Sequence, residues 1–171
     1  MLLNILIIIL CIAADQITKL YAEANLKDIS TLPIIENIFH FTYVENKGAA
    51  FGMLADHRWV FMILSVVGIA AIFAYLAATK PKSWWMRLAL CFIVGGGIGN
   101  MIDRVARGYV IDFIDCRFID FYVFNVADSF VCVGCAMFVI AVIIDEIQER
   151  RKNSAASSTD KDGGTNEDKN A

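Results

Sequence analysis

Residues 122–144 read YVFNVADSFVCVGCAMFVIAVII, and Asp128 is the only charged residue in this run. An α-helix needs about 20 mostly apolar residues to cross the hydrocarbon core of a bilayer. The run therefore predicts a membrane-spanning helix, and this prediction decides the fold class. Its strongly polar residues, Asn125, Asp128 and Ser129, all lie near its beginning. Polarity is thus confined to one end of the predicted span.

Three upstream runs have a similar length and composition. They cover residues 2–21, 59–78 and 85–102. The first run lacks the basic flank and the small-residue cleavage site of a secretory signal, and it carries Asp15 and Lys19 near its end, which indicates a retained span. We therefore expect an all-α transmembrane fold, a four-helix membrane bundle formed by one domain of residues 1–148.

The overall composition agrees with a membrane protein and argues against other classes. Hydrophobic residues make up 58% of the 171 residues, charged residues 19%, and the net charge is −3. The chain has no basic field of the kind that nucleic-acid binding needs, so we expect no nucleic-acid partner. The five cysteines are an odd number and lie mostly in apolar runs, so they do not form a disulfide framework.

The distribution of basic residues predicts the orientation in the membrane. Lys and Arg cluster in residues 80–87 and 150–152, whereas residues 22–58 hold only three of them. Because basic residues near the ends of spans stay on the cytoplasmic side, both termini are expected to be cytoplasmic in a multi-pass protein.

The segments outside the spans predict a small sheet and a tail. Residues 38–44, 109–114 and 118–123 are rich in β-branched and aromatic residues, which favours three strands in an extracytoplasmic β-sheet platform on the outer leaflet. Residues 149–171 lack an apolar period, and the chain from 146 onward holds 11 of the 33 charged residues. We predict that residues 149–171 form a disordered cytoplasmic tail.

Polar residues within spans are costly and commonly mark function. Asp15 lies roughly 20 Å along its helix from the cytoplasmic start, at 1.5 Å per residue, and the other intramembrane polar residues also lie at outer ends of spans. We therefore expect one polar cluster near the outer leaflet. Its members are Asp15, Asn100, Asp103, Arg104, Asn125 and Asp128.

Several of these residues also have simpler interpretations. Asp15 and Lys19 have the i, i+4 spacing of a favourable helical ion pair, which leaves a structural and a functional role equally open. Asp103 and Arg104 are expected to pair or to end a helix at the interface. Asp115 and Asp120 are interpreted as solvated loop charges.

Asp112 and Asp128 have the strongest case for catalysis. Asp112 stands in the apolar run 109–114 and Asp128 at the head of a span, so both carboxyl groups are expected to be partly desolvated. Two such groups brought together cannot both ionise, so they share a proton, and one can act as base on water while the other acts as acid. This arrangement predicts aspartyl-protease chemistry.

A metal site is the alternative, because hard divalent cations also collect carboxylates. Its ligands would be Asp103, Asp112, Asp115 and Asp120. Spacing alone favours neither alternative. His40 and His57 add little, since neither has a recognisable zinc-ligand spacing. The glycines at 95–99 include G-x-x-x-G, which we interpret as a close helix–helix contact and not as a phosphate loop.

Four sequence blocks together resemble the bacterial lipoprotein signal peptidase (signal peptidase II) family over nearly all of residues 1–148. The blocks are DQITK at 15–19, ENKGAAF at 45–51, GNMIDR at 99–104 with GYVIDF at 108–113, and FNVADS at 124–129. Each block alone is weak evidence. The occurrence of all four blocks in this order, alongside four predicted spans, is highly specific.

The resemblance implies an aspartic endopeptidase whose catalytic residues are Asp112 and Asp128. It also implies supporting or substrate-binding roles for Asp15, Asn46, Asn100, Asp103, Arg104 and Asn125. No metal and no cofactor are implied, which favours the aspartyl interpretation.

The implied substrate is a prolipoprotein whose lipobox Cys carries diacylglycerol, cut on the N-terminal side of that Cys. Membrane lipid and globomycin-type inhibitors are the other implied partners. The implied location is the bacterial inner (cytoplasmic) membrane, with the active site near the outer leaflet. The tail after Glu149 has no counterpart in the family pattern.

Overall fold

The computed structural model describes residues 2–48, 58–79, 81, 83–119 and 121–163. Within them lie four α-helices and a small sheet. The helices are α1 (Leu2–Leu26), α2 (Arg58–Thr79), α3 (Trp84–Ala106) and α4 (Val126–Gly163). The strands are β1 (Thr31–Ile35), β2 (Phe39–Asn46) and β3 (Val110–Cys116), and β3 runs into a short 3-10 helix, Arg117–Ile119. The expected helical fold with a small sheet is confirmed.

Three helical segments are long and apolar enough to cross a membrane: Leu2–Leu26, Trp84–Ala106 and Val126–Arg151. They match the first, third and fourth predicted spans. In α2 the apolar part found among the described residues, Met62–Leu76, is shorter. The second predicted span coincides with a helix, and its membrane crossing stays a prediction.

Helix α3 lies between α1 and α4, and its glycines allow the close approach. A Cβ atom at Gly95 would lie 2.6 Å from Cys11 Cβ on α1, and one at Gly96 would collide with the Ala127 carbonyl oxygen on α4. A Cβ at Gly99 would lie 2.6 Å from Asp15 Oδ2. Any side chain at these positions would push the helices apart, which confirms that the glycines serve packing.

The sheet is antiparallel with the order β1-β2-β3. β2 and β3 confirm the predicted strands at 38–44 and 109–114. The strand predicted at 118–123 is wrong for the residues of that stretch that the structure describes. Residues 117–119 turn as a 3-10 helix, residues 121–123 form no strand, and Phe124 forms an isolated bridge to Ile114. The edge strand β1 was not predicted.

An apolar cluster anchors the sheet to the C-terminal end of α1. Ala22 and Leu26 of α1 pack against Ile111 and Phe113 of β3, and all four side chains are buried. Because Asp112 lies between Ile111 and Phe113, this cluster fixes its backbone relative to the bundle.

Helix α4 extends well beyond the predicted span. Part of the segment predicted to be disordered is helical as far as Gly163, while residues 164–171 lie outside the described part. The sequence after residue 144 contains good helix formers, and Glu146 accepts an i, i+4 hydrogen bond from Arg150 at 2.7 Å. Such local interactions support a helix without burying apolar surface.

Candidate active site

The turn that ends α3 delivers Asp112 to the site. Gly108 has φ 84°, a left-handed conformation that favours glycine. The Asp103 carbonyl accepts hydrogen bonds from the backbone N–H groups of Arg107 (2.8 Å) and Gly108 (3.2 Å), which terminates the helix. Strand β3 begins two residues later and carries Asp112, of which 2% is exposed.

Two amide side chains hold the Asp112 carboxyl group. Asn46 at the end of β2 donates from Nδ2 to Oδ2 at 2.8 Å. Asn125, just before α4, donates from Nδ2 to Oδ1 at 2.7 Å. Both donors are neutral, so they orient the carboxyl group without supplying a positive charge.

Asp128 lies in the first turn of α4, where a reciprocal capping arrangement fixes it. The Asn125 side-chain oxygen accepts the Asp128 backbone N–H at 2.9 Å, and Asp128 Oδ2 accepts the Asn125 backbone N–H at 3.2 Å. This is the geometry of a capping box, in which residues three apart satisfy each other's backbone donors. The spacing of Asn125 and Asp128 therefore has a local structural cause.

Asn125 also connects the two carboxyl groups, because its side chain bonds Asp112 while its backbone bonds Asp128. Asn100 on α3 completes the link. Its Nδ2 donates to Asp128 Oδ1 at 2.7 Å, and its Oδ1 accepts from Asn125 Nδ2 at 3.0 Å. One amide network thus holds both predicted catalytic residues, which we call the dyad.

The environment makes Asp112 easy to protonate. The pKa of its carboxyl group is raised to about 7, because burial and the charge of Asp128 together outweigh the lowering effect of the hydrogen bonds from Asn46 and Asn125. A carboxyl group with this pKa can carry a proton near neutral pH.

A buried ion cluster lies behind the dyad. Lys19 Nζ is 2.9 Å from Asp15 Oδ2 and 2.9 Å from Asp103 Oδ2, and all three side chains are fully buried. Asp15 also accepts the Ala127 backbone N–H at 2.9 Å, which satisfies a free donor in the first turn of α4. The Arg104 guanidinium donates to the Asn100 carbonyl at 3.4 Å and interacts electrostatically with Asp128 and Asp112.

The structure gathers all eight residues proposed from the sequence where α1 and α3 end and α4 begins. They are Asp112 and Asp128 with Asp15, Asn46, Asn100, Asp103, Arg104 and Asn125. We expected Asp103 to form an ion pair or to end a helix. It forms ion pairs with Lys19 and also, at 2.8 Å, with Arg107. Arg107 is a structural partner of Asp103 that the sequence analysis did not propose, although its i, i+4 spacing from Asp103 is visible in the sequence.

Asp115 is not the solvated loop charge that we expected. It lies on β3, is 7% exposed, and accepts hydrogen bonds from Thr42 Oγ1 at 2.7 Å and Arg117 Nε at 3.0 Å. Three positions separate it from Asp112, so the two side chains point to opposite faces of the strand.

The residues of the metal alternative do not converge in the described part of the chain. Asp103 is occupied by two cations, Asp115 faces away, and Asp120 lies outside the described residues, as does His57. Within residues 2–48, 58–79, 81, 83–119 and 121–163, no group of three His, Cys, Asp or Glu side chains is placed to hold a metal ion.

Comparison with known proteins identifies the family. The family model described as signal peptidase (SPase) II matches residues 7–144. The chain belongs to the signal peptidase II family. It is 47% identical to the lipoprotein signal peptidase of Clostridioides difficile (strain 630), over 86% of this chain and 99% of that protein. It is 41% identical to that of Streptococcus pyogenes serotype M5 (strain Manfredo), over 84% of this chain and 95% of that protein.

Solved structures of bacterial membrane enzymes have the same fold. One at 2.3 Å resolution superposes with a TM-score of 0.76 at 32% identity, covering 84% of this chain and 88% of that one. Another at 1.9 Å resolution gives a TM-score of 0.72 at 32% identity, covering 81% and 91%. The four blocks that suggested signal peptidase II all begin within the matched region, and the protein is a membrane peptidase of this family.

Proposed function

We propose that this signal peptidase II is an intramembrane aspartyl endopeptidase that removes signal peptides from diacylglyceryl-modified prolipoproteins. It cleaves on the N-terminal side of the lipidated Cys. The observation that carries the proposal is the position of Asn125, which bonds Asp112 through its side chain and Asp128 through its backbone. A single residue thereby contacts both carboxyl groups, which supports the proposal that they share a proton.

The resting enzyme carries one proton on the dyad, and we assign it to Asp112. Burial raises the pKa of Asp112 to about 7, and Asp128 lies in the first turn of α4 and interacts electrostatically with Arg104. Asp128 therefore acts first as the base and Asp112 as the acid.

Hydrolysis then proceeds in two proton-balanced stages. Asp128 takes a proton from a water molecule whose oxygen attacks the carbonyl carbon before the lipidated Cys, while Asp112 gives its proton to the carbonyl oxygen. In the second stage the Cys nitrogen receives a proton from Asp128, the C–N bond breaks, and Asp112 recovers its proton. The products are a signal peptide with a new carboxyl group and a lipidated Cys with a free amino group.

The cleaved bond of the proposed substrate and the dyad are expected at the same depth in the membrane. A peptide bond next to a diacylglyceryl-bearing Cys is held at the membrane interface by its acyl chains. The dyad lies where α3 ends and α4 begins, beside the sheet. With both termini in the cytoplasm, this end of the bundle faces the outer leaflet of the bacterial inner membrane.

The names of the relatives support the substrate class, since both proteins are called lipoprotein signal peptidases. Globomycin-type peptides, as inhibitors expected of the family, would compete for the dyad. The residues of the dyad network provide acids, amides and cations, so the proposed chemistry uses water and two carboxyl groups without a metal or a cofactor.

The test uses purified full-length protein and a diacylglyceryl-modified prolipoprotein, with cleavage followed by mass spectrometry. We expect a product that begins at the lipidated Cys, full activity in EDTA, and inhibition by globomycin. Loss of activity in EDTA with recovery on adding Mg²⁺, Mn²⁺ or Zn²⁺ would support the metal alternative. Equal cleavage of an unlipidated prolipoprotein would contradict the proposed substrate class.

A further inference from the structure

Lys19 contacts more than its two ion-pair partners. Its Nζ donates to Asn100 Oδ1 at 2.7 Å, in addition to lying 2.9 Å from Asp15 and 2.9 Å from Asp103. The side chain is fully buried. An ammonium group has three donors and no acceptor, so these three contacts use its whole hydrogen-bonding capacity.

The contact with Asn100 determines how that amide is turned. An amide has an acceptor end and a donor end, and the two ends differ by a rotation of the group. With Oδ1 held by Lys19 and by Asn125 Nδ2, the Asn100 NH₂ group points to Asp128 Oδ1 at 2.7 Å. The reverse orientation would place an NH₂ group against an ammonium and an oxygen against a carboxylate.

We propose that Lys19 is a positioning residue for catalysis, which acts by fixing the Asn100 amide so that it donates to Asp128. This inference rests on the proposed function, because it concerns how the dyad is held. Asp15 and Asp103 in turn hold the Lys19 ammonium in place and offset the cost of burying its charge. The chain of contacts runs from Asp15 and Asp103 through Lys19 and Asn100 to Asp128.

A purely structural role is the competing explanation, since Lys19 also neutralises two buried carboxylates. The chain offers a matched control for it. Arg107 forms an ion pair with the same Asp103 at 2.8 Å, but its second nitrogen bonds Glu23 at 3.4 Å, and its side chain is 19% exposed. Loss of either cation removes one partner of Asp103, whereas loss of Lys19 also releases the Asn100 amide.

The experiment compares Lys19→Met with Arg107→Met in the full-length enzyme on a diacylglyceryl-modified prolipoprotein. A misplaced catalytic group can cost about 10²-fold in rate, and we expect a loss of this size in kcat for Lys19→Met with KM within about threefold. Arg107→Met should keep kcat within about threefold. Equal losses in the two variants at equal thermal stability would overturn the proposal.

A pH profile provides a readout that a structural role would not move. The charge of Lys19 lowers the pKa of Asp112, so Lys19→Met should shift the alkaline limb of kcat/KM to higher pH. Arg107→Met should leave the limb in place. An unmoved limb in Lys19→Met would contradict the proposed connection to the dyad.

A double-mutant cycle tests whether Lys19 acts through Asn100. If it does, adding Lys19→Met to Asn100→Ala should change kcat by less than about twofold, because the contact is already lost. Multiplication of the two single losses would overturn the proposal. If Lys19→Met does not fold, the substitution is combined with Asp15→Asn, so that one buried anion is removed together with the cation. The kcat of this double variant is then compared with that of Asp15→Asn alone.

The proposed function and this inference fail in different ways. A wild-type enzyme that does not cleave the lipidated substrate, or an Asp128→Asn variant that does, would contradict the function. An active wild type, an inactive Asp128→Asn and a fully active Lys19→Met would contradict only the role of Lys19.

Discussion

Asp112 and Asp115 lie three positions apart on the same strand and are 2% and 7% exposed, yet their surroundings act on them in opposite directions. Burial raises the pKa of Asp112 to about 7. Burial also raises the pKa of Asp115, but hydrogen bonds from Thr42 and Arg117 and the Arg117 charge outweigh it and hold the pKa below its usual value.

The difference comes from the two faces of β3. On one face Asp112 accepts hydrogen bonds from the neutral amides of Asn46 and Asn125 and lies near another carboxylate. On the other face Asp115 receives a hydroxyl and a guanidinium. A buried carboxyl group held by neutral amides beside another carboxylate can hold a proton at neutral pH, whereas a buried carboxylate that is hydrogen-bonded to a guanidinium stabilises the fold.

The largest expected effect is on cleavage activity, which should distinguish Asp112 on one face of β3 from Asp115 on the other. Asp112→Asn and Asp128→Asn should each lower kcat by at least about 10³-fold, because each removes a proton-transfer partner at nearly unchanged volume. Asp115→Asn should keep kcat within about threefold. The measurement is cleavage of the lipidated prolipoprotein by purified variants. Substantial turnover by either dyad variant would contradict the assignment, and inactivity of a folded Asp115→Asn would revive the metal alternative.

The second prediction concerns the hydrogen bond from Asn46. That bond lowers the pKa of Asp112, so in Asn46→Ala the carboxyl group should keep its proton to higher pH. The alkaline limb of kcat/KM should move upward, with a loss of about tenfold in kcat/KM, or ~1.4 kcal/mol.

Thr42→Val is the matched control, because it removes one neutral donor from Asp115 at 2.7 Å. Its pH profile should coincide with that of the wild type. A shift in Thr42→Val as large as that in Asn46→Ala would mean that the two faces are not independent.

The third prediction uses thermal stability as a function of pH. A carboxyl group whose pKa is raised on folding destabilises the folded state progressively as the pH rises from its unfolded value, about 3.9, to its folded value. The Tm of Asp112→Asn relative to wild type should therefore increase between about pH 4 and about pH 7 and stay constant above it. About 2–4 °C of change is expected for each kcal/mol in a chain of this size.

For Asp115 the sign is reversed. Its lowered pKa contributes stability above about pH 4, which is lost as the pH falls through the folded value. The Tm of Asp115→Asn relative to wild type should decrease as the pH rises through about 4 and then stay constant. If the relative Tm changed in the same direction with pH in both variants, the proposed difference between Asp112 and Asp115 would be contradicted.

The smallest effect is expected far from both faces. Truncation at Asn153 removes the end of α4 and the following residues, across the bilayer from the dyad in the proposed topology. Cleavage by detergent-solubilised enzyme should stay within about twofold of wild type, equal to ~0.4 kcal/mol. Labelling of a Cys introduced at position 160 from outside intact cells would contradict that topology.

That Asp112 and Asp128 belong to one site could be predicted from the sequence because both residues stand in conspicuous local contexts. Asp128 is the only charge in an apolar run, and Asn125 and Asp128 have capping-box spacing. Asp112 interrupts a run of β-branched and aromatic residues. By contrast, Asn46 was placed only by resemblance, since nothing local indicates that Asn46 reaches β3.

The remaining features depend on contacts that no local pattern encodes. The prediction for Asp115 was wrong because its burial depends on the pairing of β2 with β3, which places it opposite His40 and close to Thr42. Strand β1 contains Pro33, which weakens a strand prediction but is tolerated at a sheet edge. The Lys19 spacing predicted the pair with Asp15 but not the bond to Asn100, 81 positions away.

The central claim, that Asp112 and Asp128 act as one proton-sharing unit, is tested most directly by the double variant Asp112→Asn/Asp128→Asn. Its residual rate of cleavage of the lipidated prolipoprotein is measured in EDTA beside those of the single variants. Residues that act as a unit are strongly non-additive, so the double variant should retain the same residual rate as each single variant, within about threefold. A residual rate equal to the product of the two single losses would show that the carboxyl groups act independently and would contradict the account.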